Sequence, residues 1–141
     1  MSQSASILAL DLGKVRVGVA RASWPDGIPT PLTTLKNDSS LAVNLTQLVA
    51  SEHAEVLVAG KPMTLSGTDS KQTRYTLEIV RQLETVLPLK IYLQDESATS
   101  LQAEAELKRS RGGYDKADID ALSAVYILED FIREHPGGRG L

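Results

Sequence analysis

The run Ile7-Leu8-Ala9-Leu10-Asp11-Leu12-Gly13-Lys14-Val15-Arg16-Val17-Gly18-Val19-Ala20 decides the fold. Ile7 to Leu10 is a short continuous apolar stretch, the mark of a strand buried on both faces. It ends in a carboxylate, turns at Gly13, shows two cations and returns with Val15, Val17 and Val19 alternating against Arg16, Gly18 and Ala20. That pattern predicts two strands paired as a hairpin. The Asp11 carboxylate is then held at a sheet edge, where a hard cation or a phosphate can reach it.

Working outward, Trp24-Pro25-Asp26-Gly27 is turn chemistry, and Pro31 to Leu35 supplies a third, shorter strand. Asp38 or Ser39 can cap a helix carrying Leu41, Leu45, Leu48 and Val49 on one side. Val56-Leu57-Val58-Ala59 reads as the next buried strand, ended by Gly60 and Pro62. A loop from Lys61 to Gly67 leads to a helix near Asp69–Val86 with the apolar stripe Leu77, Val80, Leu83 and Leu87, stopped by Pro88. Lys90-Ile91-Tyr92-Leu93 forms a fifth strand, ending at Asp95-Glu96. Thr99 and Gln102 sit at capping-box spacing for a helix to about Arg109, which Arg111-Gly112-Gly113 breaks. A last helix starts near Asp118 and buries Leu122, Val125, Ile127 or Leu128, and Phe131. The predicted order is β-β-β-α-β-α-β-α-α. The fold class is α/β: a mixed five-stranded sheet, three antiparallel strands followed by βα units, flanked by helices.

At 141 residues the chain suits one domain, 1–141, with residues 136–141 expected as a flexible tail. There is no cysteine, which excludes disulfides, zinc-thiolate sites and thiol nucleophiles. His53 and His135 are too few and too far apart for a histidine metal cluster. No apolar run approaches a membrane span and the polar start is no signal peptide, so the cytoplasm is the expected location. A net charge of −3 speaks mildly against a constitutive nucleic-acid binder, unless acids converge on cations that neutralise them.

Three places set acids at the tips of elements: Asp11 after the first strand, Asp95-Glu96 after the fifth, and Asp118 or Asp120 at the last helix. With no histidine or cysteine nearby, they form an oxygen-only donor set, suited to Mg²⁺ or Mn²⁺. Two such ions about 4 Å apart can activate a water and steady the leaving oxygen of a phosphodiester, with no amino-acid nucleophile. Each acid also has a plainer role. Asp11 can serve turn geometry, and Asp95 and Glu96 can answer a helix dipole. Asp118 is placed as an N-cap; it lies about 200° around the helix from Asp120, which is the better site candidate.

At this point the residues resemble the YqgF/RuvX family of the RNase H-like, RuvC-type nuclease superfamily. The family's opening Asp-x-Gly-x-Lys-Arg-x-Gly-Val-Ala appears as Asp11 to Ala20, with the basic pair in a different register. Its Gly-Leu-Pro loop appears as Gly60-Lys61-Pro62, followed by Ser66-Gly67-Thr68. Its Asp-Glu-Arg-x-Thr-Thr segment appears as Asp95-Glu96-Ser97-Ala98-Thr99-Ser100, then Ala103-Glu104. The closing Lys-x-x-Ile-Asp-x-x-Ala-Ala-x-x-Ile-Leu pattern appears as Lys116 to Leu128. The likeness spans essentially the whole chain in order. It implies Asp11, Glu96 and Asp120 as catalytic acids and Asp11, Asp95, Glu96 and Asp120 as metal ligands. It further implies a hydrolase acting on ester bonds, in 5′ processing of the small-subunit ribosomal RNA precursor or as a Holliday-junction resolvase. Ser97 stands in place of the family's Arg, and Lys61, in place of its Leu, is a candidate to carry that charge.

Lys14, Arg16, Lys61, Lys71, Arg74 and Lys116 lie in or beside the loops around these acids and are the candidate nucleic-acid contacts, gripping phosphates without reading sequence. Lys108-Arg109-Ser110-Arg111 is equally a contact or a solvated helix end. Scarce aromatics argue against a single-strand stacking platform, so structured RNA or branched DNA is the expected partner, with a monomer or homodimer acting on it. The competing class is an RNA-binding ribosome-assembly factor with little turnover. A phosphate-binding nucleotide domain of the actin and sugar-kinase type needs two such domains, and the chain has room for one.

Overall fold

The computed structural model describes residues 5–24, 27–63, 70–96 and 116–138. Strands β1 (Ala5–Leu12), β2 (Arg16–Trp24) and β3 (Thr30–Lys36) lead into helix α1 (Leu41–Ser51). Strand β4 (Ala54–Pro62), helix α2 (Lys71–Glu84), strand β5 (Ile91–Glu96) and helix α3 (Lys116–Glu134) follow, and a 3₁₀ turn over Pro136–Gly138 closes the described chain. The strands form one sheet in the order β3-β2-β1-β4-β5. β2 is antiparallel to β1 and β3, whereas β1, β4 and β5 are parallel. This is the mixed sheet expected from the sequence; the helix expected from Thr99 to Arg109 lies outside the described residues.

The sheet is covered differently on its two sides, and the residue sizes explain why. On one side Leu8, Leu10, Val17, Val19 and Leu57 pack against Leu41, Leu45 and Val49 of α1 and Val80 and Leu83 of α2. On the other, Ala9, Ala20 and Ala22 of β1 and β2 lie beside the larger Ile7 and Val58, and the alanines let α3 lie close to β1 and β2. Ala124, Ile127, Leu128 and Phe131 of α3 fill that side. At Gly18 the approach is closest: a Cβ there would stand 1.9 Å from the main-chain oxygen of Asp120. Gly18 therefore fixes where the first turns of α3 rest, directly opposite Asp11 in the β1–β2 register.

Several boundaries differ from those read off the sequence. β4 does not stop at Gly60 but runs through it to Pro62. Gly60 serves a helix contact instead of a turn, since a Cβ there would stand 2.5 Å from Cδ1 of Ile127. Ser40, not Asp38 or Ser39, is the cap of α1, although the Asp38 carboxylate accepts from the Ser40 amide at 2.9 Å. α2 begins later than Asp69, at Lys71, with Ser70 and Thr73 forming a reciprocal capping box. Its buried stripe also includes Thr73 and Thr76, and the Thr73 hydroxyl donates to the carbonyl of Pro62. α3 begins two residues before Asp118, which is therefore not its N-cap. His135, next to the expected tail, stacks on Phe131 at 4.2 Å between ring centroids. No described helix is long and apolar enough to cross a membrane.

Candidate active site

The C-terminal ends of parallel strands are where α/β sheets present their ligands. Alternation along the strands decides which side each residue serves. Asp11 continues the Ile7–Ala9 side of β1, so it faces α3. Gly60 touches Ile127 of α3 and has the Glu96 side chain next to it, at 3.8 Å from a Cβ built there, so Glu96 faces α3 too. Asp95 is one residue away and projects to the opposite side, exposed, paired in register with Lys61. The set of four acids drawn from the sequence is thus divided by the sheet: Asp11, Glu96 and Asp120 on the α3 side, Asp95 on the other.

Asp11 and Asp120 form one pair. Asp11 keeps a partial opening to solvent, but the protein behind it withdraws water from the carboxylate. Burial, followed by the Asp120 charge, pushes the Asp11 carboxyl up to about 7. Asp120 has a cationic neighbour: Nε of Arg16 donates to its Oδ2 at 2.8 Å. Arg16 reaches it because β2 sends Arg16 and Gly18 to the same side, and Gly18 lets the helix come down onto the strand.

Glu96 belongs to a second group, further along α3. Burial first, then a hydrogen bond to Asp130 and the charges of Asp130 and Glu134, push the Glu96 carboxyl up to about 9, against a smaller opposing effect of Arg133. One Glu96 oxygen, Oε1, is buried without a hydrogen-bond partner among the described residues. Glu134 accepts from Nε2 of Gln94 at 2.8 Å, and Arg133 bonds Asp130. Asp130 and Glu134 were missed in the sequence, where they look like a solvated helix face. The usable signal was spacing: Asp120, Ile127 and Glu134 recur every seven residues, one stripe of a helix.

Among the described residues no three acids stand close enough together to hold a metal ion. The donor chemistry nevertheless fits one: the desolvated Asp11 carboxylate beside the Asp120 charge would be relieved by a divalent cation, which keeps waters in its remaining positions.

The cations are spread around this edge. Lys14 is exposed in the β1–β2 hairpin, whose turn is closed by Gly13 N–H to Arg16 O at 3.0 Å. Asn37 braces that turn, donating through Nδ2 to Gly13 O and Tyr75 Oη, each at 2.7 Å. The tip carries Val15, 68% exposed. Lys61 lies on the α2 side of the sheet, and Lys71 and Arg74 are exposed in the first turn of α2. Lys116 opens α3. The cluster Lys108 to Arg111 lies outside the described residues.

With this geometry in view, the likeness to known proteins is specific. A family model described as "RuvX: Holliday junction resolvase" matches residues 5–134. A protein of Sulfurihydrogenibium sp. (strain YO3AOP1) named "Putative pre-16S rRNA nuclease" is 38% identical over 129 residues, covering 89% of this chain and 88% of that one. One of the same name from Rippkaea orientalis is 36% identical over 131 residues, covering 90% and 94%. In structure the chain is similar to RuvC of T. thermophilus, solved in complex with a Holliday junction substrate, with a TM-score of 0.50 at 11% identity over 94% of this chain and 97% of that one. That likeness shows the fold, which is RNase H-like. The chain belongs to the RuvX, Holliday junction resolvase, family: it is a nuclease, a hydrolase of phosphodiester bonds.

Proposed function

We propose that the protein is a divalent-metal-dependent nuclease of the cytoplasm that trims the 5′ end of the small-subunit ribosomal RNA precursor. The observation that carries this reading is the Asp11–Asp120 pair, two carboxylates brought together at the C-terminal edge of the sheet with the Asp11 carboxyl held up to about 7. Carboxylates forced together in a desolvated corner raise the energy of the metal-free site and favour a cation there. Names of the more similar relatives favour RNA over a DNA junction as substrate.

A bound pair of Mg²⁺ or Mn²⁺ ions would supply Lewis acidity to a water and counter-charge to the leaving oxygen. Asp11 and Asp120 would hold them, with Glu96 the third candidate ligand. Exposed Lys14, Lys71 and Arg74, with Lys61 and Lys116, grip phosphates on either side.

Cleavage of a structured ribosomal precursor and of a four-way DNA junction, with Mn²⁺, tests this for wild type and Asp11→Asn. Loss of cutting in the variant with retained RNA binding is expected. An Asp11→Asn protein as fast as wild type overturns the reading. One observation favours a second reading, an RNA-binding ribosome-assembly factor with little turnover: Glu96 lies with Asp130 and Glu134. Salt-dependent RNA binding without cleavage by wild type would select it.

A further inference from the structure

Arg16 is the point where the structure departs from a simple phosphate-gripping role. Its guanidinium is committed to an acid: Nε meets Asp120 Oδ2 at 2.8 Å, with the Arg16 side chain 31% and the Asp120 side chain 20% exposed. The two residues are 104 positions apart in sequence, so only the seating of α3 on β2 brings them together. That seating is set by main chain, since Gly18 admits the carbonyl of Asp120 where any side chain would collide with it. Arg16, two residues before Gly18 and on the same side of β2, then reaches the Asp120 carboxylate from above.

We infer that Arg16 is a positioning residue: it holds the Asp120 carboxylate beside Asp11 and acts as an internal cation that an incoming divalent ion must displace from Oδ2. The inference rests on the proposed metal-dependent reading and adds to it which residue regulates the site. An arginine suits this task because its charge is permanent and its fork is rigid, whereas a hydrated, flexible lysine ammonium would fix the carboxylate less well. The guanidinium offsets part of the repulsion between the two acids, so the site folds without metal. Once displaced, the same partly exposed group is left at the edge where a scissile phosphate would arrive.

The test is Mn²⁺ binding measured by calorimetry on the full chain without nucleic acid, for wild type, Arg16→Gln and Arg16→Lys, followed by steady-state cleavage of structured RNA. Removing the competing charge should tighten Mn²⁺ binding several-fold in Arg16→Gln, while Arg16→Lys stays near wild type. In cleavage at saturating Mn²⁺, Arg16→Gln should lower kcat with KM little changed, because the displaced guanidinium no longer stands at the edge where the scissile phosphate reacts. A Gln variant that binds Mn²⁺ like wild type, with a raised KM and a shallower salt dependence, overturns the inference and makes Arg16 a phosphate contact. A Gln variant that only melts earlier, with unchanged Mn²⁺ affinity, overturns it in favour of a purely structural tie. Wild type that takes up no Mn²⁺ at all sinks the metal-dependent reading itself, a result distinguishable from the other two.

Discussion

Ser123 sits fully buried one turn after Asp120, and its hydroxyl meets no hydrogen-bond partner among the described residues. A desolvated, unsatisfied hydroxyl costs about 1–3 kcal/mol, and alanine fits the same space. Ser123→Ala should therefore raise the melting temperature by roughly 2–4 °C in calorimetry, with cleavage unchanged. The raised carboxyls make a second, directional prediction. Unfolded, Asp11 releases its proton near the ordinary 3.8; folded, it keeps the proton to about 7. The folded chain binds more protons across that window, so metal-free stability falls as pH rises through it. Glu96 extends the fall toward about 9. Melts in chelator from pH 5 to pH 8 should show the decline, Asp11→Asn should flatten its lower part, and Mn²⁺ should raise the melting point most at the alkaline end.

At the scale of elements, the two glycines facing α3 separate two kinds of close approach. Alanine at Gly18 would collide with the main chain of Asp120 and Ala121, which cannot yield without lifting the helix. Gly18→Ala should cost about 3 kcal/mol or more and abolish cleavage. Alanine at Gly60 meets the flexible tip of Ile127, and Gly60→Ala should cost about 1–2 kcal/mol in urea unfolding. The same contacts show how far the sequence could be read. β1 and β2 were legible from their buried run and alternation, and Asp11 with them, because local pattern and tertiary role agree there. Gly60 misled, since a glycine read as a turn signal was answering a helix that arrives 67 residues later in the chain, at Ile127. Asp95 and Glu96 looked like one acidic tip, yet a strand sends neighbours to opposite sides. The coupling of Glu96 to Asp130 and Glu134 depends on how α3 crosses the sheet, which no local pattern encodes.

Over the whole molecule, the acids face α3 while Lys61, Lys71 and Arg74 belong to the α2 side. A nucleic acid touching both groups must straddle the C-terminal edge of β1, β4 and β5. Lys71→Ala combined with Arg74→Ala should raise KM, leave kcat near wild type, and reduce the slope of log affinity against log salt by about 1–2. Cleavage assays and binding titrations at several salt concentrations check this, and a fall in kcat alone would place the two cations at the reacting phosphate.

Trp24, the chain's single tryptophan, packs against Phe131 of α3 with ring centroids 6.1 Å apart. All indole fluorescence therefore comes from one ring pressed against the helix that carries Asp120. The protein thus contains its own optical gauge of whether that helix is seated. A red shift in emission that precedes the loss of circular dichroism during denaturation would reveal detachment of α3 while the sheet is still intact.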